Sequence, residues 1–125
     1  MQTDKGNIKA GDVFYIADSQ LTDTQIDAVG KATLDTVSIH GRVTVENNYD
    51  TEIYLDKAEL NRIHTEIFSG EGAVYHIPYS KEKGMDYYHR DEKKVANPYS
   101  YGAQNSKDQL IVKSRHGEVE LLEVQ

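Results

Sequence analysis

The run Thr36-Val37-Ser38-Ile39-His40-Gly41-Arg42-Val43-Thr44-Val45-Glu46 places apolar residues at odd positions and polar ones at even positions. A period of two is the mark of an extended strand with one buried face. His40-Gly41 fits a two-residue hairpin turn, because glycine supplies the positive φ such turns need. Side-chain phase argues against that turn: it would set Ile39 against Arg42 and move Val43 and Val45 to the polar side. One strand with Gly41 as a bend or bulge keeps Val37, Ile39, Val43 and Val45 on one face.

Outward from this run, Asn47-Asn48-Tyr49 reads as a loop to a second strand. The expected antiparallel register pairs Val45 with Thr51, Val43 with Ile53 and Gly41 with Leu55. Thr44, Glu52, Arg42, Tyr54 and His40 then share an open polar face. A helix opens at Asp56, with Asp56 and Glu59 as its capping box and Leu55 and Leu60 as its staple. Its buried stripe is Leu60, Ile63, His64 and Ile67, and Gly70 ends it.

Toward the N-terminus, residues 13–17 (Val-Phe-Tyr-Ile-Ala) form a strand covered on both faces, and residues 1–7 are expected to fray. Thr22 and Gln25 mark a second capped helix over residues 22–33. Toward the C-terminus, residues 73–77 read as a strand that Pro78 ends or marks as an edge. The resulting order is the βαββαβ of ferredoxin-like folds. Residues 110–124 read as a hairpin turning at His116-Gly117, which aligns Arg115 with Glu118, Lys113 with Glu120 and Ile111 with Leu122. No internal repeat of solenoid or propeller type stands out. The expectation is therefore a single α+β domain over residues 1–125, with a small antiparallel or mixed sheet, two helices and a C-terminal β-hairpin.

The chain has 125 residues, enough for a core without staples, and no cysteine, which excludes disulfides and thiolate metal sites. No apolar run is long enough to span a bilayer and no signal-peptide pattern opens the chain, so a cytoplasmic protein is expected. The net charge of −7, from 21 acidic and 14 basic residues, disfavours nucleic-acid binding and suits a basic protein partner.

Residues 79–108 lack a usable period apart from a short helix over 85–96, and hold Tyr79, Tyr87, Tyr88, Tyr99 and Tyr101 of the chain's nine tyrosines. Tyrosine provides contact area at low entropy cost, so this segment is the first binding candidate, with His89 and Arg90 beside it. His40, Arg42 and Tyr54 on the polar face are the second. The alternative for the tyrosines is simple coverage of the sheet.

Nucleophile elbows, phosphate loops and zinc-protease spacing are absent, and His89 with Asp86 and Asp91 is a weak metal constellation. No cofactor and no metal are expected. The first functional expectation is a small acidic, non-catalytic protein-binding module of the inhibitor, immunity or mobile-element accessory kind. A small-ligand or nucleotide binder with the tyrosine segment as lid is the second. An enzyme built on His76, His89 and carboxylates is the third. Strands 51–55 and 73–77 are the expected free edges, through which a homodimer would form.

Overall fold

The computed structural model describes residues 2–4, 6–80 and 87–125, with side chains described for 6–80 and 90–125. The chain winds through three sheets in turn. The first coil is β1 (Gln2–Asp4), β2 (Asn7–Ala10) and β3 (Val13–Ala17). The second is β4 (Gln20–Thr22), β5 (Gln25–Ala28) and β6 (Lys31–Asp35), and the third is β7 (Ser38–His40), β8 (Arg42–Asn47) and β9 (Thr51–Asp56). Each strand pairs in parallel with its equivalent one coil on, Gln2 beside Gln20 beside Ser38 and Phe14 beside Ala32. The repeat is thus eighteen residues, lengthened by one before β8 and β9, where Gln25 pairs Thr44 and Ala32 pairs Thr51. This is a three-sided parallel β-solenoid.

Helix α1 (Lys57–Arg62) follows the third coil, and then come β10 (His64–Ser69) and β11 (Val74–Tyr79). A 3₁₀ helix over Tyr87–Lys93 leads to β12 (Lys94–Val95) and β13 (Tyr99–Gly102), and the chain ends with β14 (Gln109–Ser114) and β15 (Val119–Val124). In space β14 lies between β8 and β10, and β15 between β9 and β11. The last strands of the sequence therefore fill a coil that the chain has already passed.

This architecture overturns the α+β reading. The molecule is 60% strand, and α1 is its one α-helix among the described residues. Residues 22–33 form β4, β5 and β6 rather than a helix. The first cap is correct, since the Asp56 side chain accepts from Glu59 N–H. The helix nevertheless stops at Arg62, and the continued apolar spacing through Ile67 belongs to β10. Residues 87–93 of the expected short helix are 3₁₀.

Neither hairpin exists. β8 and β9 lie in different sheets, as do β14 and β15, and each pairs only with parallel neighbours. Hairpin and solenoid share the same local signals, alternation broken by Asn, Gly and Asp, and differ only in which strand comes alongside. Side-chain phase survives this change. Val37, Ile39, Val43 and Val45 are all buried, and Gly41, at φ +67°, turns the chain between two sheets. The supposed polar face is in fact three faces, with His40, Arg42 and Tyr54 on different sides of the solenoid. Of the residues expected to fray, 2–4 pair along β4 and Asn7 opens β2, while Met1 and Lys5 lie outside the described residues.

The core is a stack of matched columns. Ile8, Ile26, Val45, Val112, Ile67 and Tyr99 run up one sheet, and Ile16, Leu34, Ile53, Leu121 and His76 run up another. One corner carries a buried polar column. There Asn47 Nδ2 donates to the carbonyls of Tyr49 and Asp50 at 3.2 and 3.0 Å, and Ser69 Oγ donates to the Gly117 carbonyl at 2.7 Å. These side chains add donors at corner carbonyls, of which that of Asp50 also accepts from Ala32 N–H.

Candidate functional site

The two ends of the solenoid are built differently. At the far end each sheet edge is covered at least in part. β13 pairs antiparallel along His64–Ile67 of β10, and β12 along Val74–Tyr75 of β11. Where β13 stops, the Asn97 side chain continues the pairing, accepting from Ser69 N–H at 3.0 Å and donating to Ser69 C=O at 2.7 Å. The third edge, β7, is covered by side chains from α1. Ile39 N–H donates to Glu59 Oε2 at 2.7 Å, and Arg62 Nη2 donates to Ile39 C=O at 2.6 Å. Gly41 N–H donates to Asp108 Oδ1 at 2.8 Å, and Asp108 is also paired with Arg62. The Gly41 N–H and the Arg62 guanidinium together hold the Asp108 carboxyl below its usual range. Unpaired edge groups invite further strands, and this end offers few.

Tyr99 and Tyr101 complete that closure. Their rings lie 6.2 Å apart and both meet the His76 ring edge-on. His76 Nε2 lies 3.1 Å from Glu123 Oε1, and Nδ1 lies 2.8 Å from the Tyr99 hydroxyl. A carboxylate only accepts, so in the neutral ring Nε2 carries the proton and Nδ1 accepts from Tyr99. Burial raises the Tyr99 pKa, with Tyr101 and Glu123 adding to the shift. The trio resembles a relay, but its hydroxyl is held protonated rather than activated. It is a lid on the core.

The other expected residues are dispersed. Tyr54 and Tyr79 meet edge-on at 5.3 Å on the outer side of the sheet that holds β3, β6, β9, β15, β11 and β12. On the same side Arg90 lies over the Tyr75 ring at 4.2 Å, pairs with Glu118, and reaches Glu120 Oε1 at 3.1 Å. Burial raises the Glu120 pKa first, then the Glu52 and Glu118 carboxylates. His40 bonds to Ser38 at one corner, and Arg42 is exposed. Tyr87, Tyr88 and His89 lie in the 3₁₀ helix, with side chains outside the described residues, as is Asp86 altogether. Among the described residues no group of three or more His, Cys, Asp or Glu converges on a metal position.

The near end contrasts with all of this. β1, β2 and β3 each stand last in their sheets, with a neighbour on one side only among the described residues. Alternate residues of such a strand turn N–H and C=O outward. β3 reads Val13-Phe14-Tyr15-Ile16-Ala17, with no charge and no proline to guard the edge. Its outward side chains Val13 and Tyr15 are 74% and 62% exposed. The Tyr15 hydroxyl donates to Asp35 Oδ2 at 3.0 Å, and this bond raises its pKa.

Of the edges expected to be open, residues 51–54 are paired on both sides, by β6 and β15, and residues 74–75 by β15 and β12. Sequence reasoning missed the near edge because it missed the coil period. The signal was present: Ile8 and Ala10 recur as Ile26 and Ala28, and Ile16 as Leu34, at the coil spacing. No family, curated protein or solved structure compared with this chain matches it.

Proposed function

We propose that the chain is a non-catalytic protein-association module that works through the coil edge formed by β1, β2 and β3. The asymmetry of the two ends carries this reading: three edges are closed by dedicated strands and side chains, while the opposite three present backbone and an unguarded apolar strand. Adding strands to such an edge is a general mode of protein recognition. The reading keeps the protein-binding class and the acidic character of the chain, and moves the surface from the tyrosine-rich segment to the edge. A cytoplasmic setting belongs to the same proposal, supported by the lack of cysteine. No described helix is long and apolar enough to cross a membrane.

Site-specific photo-crosslinking tests the proposal. A photoreactive residue at Val13, in cells producing the chain, is expected to give protein adducts, and one at Lys107 on the closed end is not. Equal yields at both positions, or none at Val13, would overturn the reading.

A second reading, small-ligand binding, is favoured by a groove of about 390 Å³ lined by residues including Asp27, Glu46, Phe68, Lys113 and Arg115. Phe68 is 47% exposed in it. A ligand at 100 times its dissociation constant adds about 2.7 kcal/mol of stability, so a thermal-shift screen decides. No shift that Phe68→Ala abolishes would remove it.

A further inference from the structure

We infer that the occupant of the open edge is a second copy of this chain, joined edge to edge about a two-fold axis through Tyr15. The inference rests on the association reading above. To pair β1, β2 and β3 together, a partner must present three strands around the same three-sided outline, and this chain's own near end has that outline. The far end has it too, but there β13 runs antiparallel along His64–Ile67, β12 along Val74–Tyr75, and α1 side chains bond the β7 backbone. An all-parallel head-to-tail continuation is interrupted on all three sides, which favours the closed two-fold arrangement.

Symmetry then sets the register. A two-fold axis perpendicular to the solenoid axis matches one strand with its own copy and exchanges the other two. β3 is the longest of the three and the one without charge. Centred on Tyr15, antiparallel self-pairing sets Val13 against Ala17 and Phe14 against Ile16 of the other copy, and Tyr15 against Tyr15. Phe14 and Ile16 face inward, so the two cores become continuous, and no like charges meet along β3. β1 of each copy lies along β2 of the other. A contact of one coil is at the small end of specific interfaces, so dissociation at micromolar concentration is expected.

Sedimentation of the purified chain over a concentration series is expected to show monomer and dimer in exchange, with no larger species. Tyr15→Lys, checked for folding by far-UV circular dichroism, is expected to leave monomer alone. The chain has no cysteine, so Tyr15→Cys offers an independent measure. It is expected to form a disulfide dimer on mild oxidation much faster than Lys107→Cys, exposed at the far end beside Asp108. A wild-type chain that stays monomeric at every concentration, a dimer indifferent to Tyr15→Lys, or equal oxidation of the two cysteine variants would each overturn the inference. A monomer that still gives adducts with other proteins from Val13 would overturn self-pairing alone. A monomer with no adducts would overturn the association reading as well.

Discussion

Asn47 shows what one buried polar side chain does in a solenoid. Its Nδ2 reaches the carbonyls of Tyr49 and Asp50 and the Thr51 hydroxyl, so it holds a corner closed from inside. Asn47→Ala removes three hydrogen bonds at once, although the Tyr49 carbonyl keeps the Ser114 hydroxyl and the Asp50 carbonyl keeps Ala32 N–H as donors; each bond lost is worth about 0.5–1.5 kcal/mol. Urea unfolding is expected to show a loss within that range or above it. Asn47→Asp keeps the shape but replaces the donor with an acceptor, and is expected to be worse. Gly117 belongs to the same corner, since a Cβ there would meet the Tyr49 carbonyl carbon at 2.3 Å and Asp50 N at 2.4 Å. Gly117→Ala therefore forces neighbouring coils apart and is expected to lower the midpoint of thermal unfolding.

At the scale of elements, α1 acts less as a helix than as a plug. Its six residues are too few for helical stability of their own, and Leu60 and the following Ile63 anchor it in the core while Glu59 and Arg62 cover β7. Arg62→Ala is expected to speed amide hydrogen exchange in β7 selectively, leaving β8 and β9 protected.

Acid should loosen the same plug. Asp108 has a folded value below its unfolded one, so its stabilisation is present above the ordinary carboxylate range and is lost as pH falls through the folded value. Glu120 has the opposite sign: its raised folded value gives stability below the unfolded range that is lost as pH rises through the folded one. Unfolding free energies measured from about pH 3 to pH 7 should fall less on acidification in Asp108→Asn than in wild type. They should fall more in Glu120→Gln, because the opposing contribution is gone.

For the whole molecule, the coil is the unit of both stability and tolerance to change. Stability in a solenoid is carried mainly by contacts between neighbouring coils. Removing residues 18–35 takes out one full period and sets the first coil against the third with side-chain phase intact. The shortened chain is expected to keep its β-sheet circular dichroism, with a smaller urea m-value because less surface is exposed on unfolding. Deleting β14 and β15 is expected to behave differently. Those strands sit between β8 and β10 and between β9 and β11, so their loss leaves a gap no other segment fills.

The sequence by itself determined the local facts. Alternation put Val37, Ile39, Val43 and Val45 inside, Asp56 capped a helix, and Gly41 turned the chain, because these depend on neighbours within a few residues. What runs alongside each strand was decided only in the tertiary structure. A strand of alternating residues followed by Asn, Gly or Asp can fold back on itself or turn a corner, and both bury the same side chains. The choice between them lies in contacts a whole coil away, or, for β14 and β15, between segments far apart in the chain. Tyr99 and Tyr101, composed like a binding surface, became a lid for the same reason: the last coil needed one, and the returning chain placed them over His76. The open edge at Val13–Ala17 likewise became visible only once the coils were stacked, since a strand is an edge by virtue of what does not lie beside it.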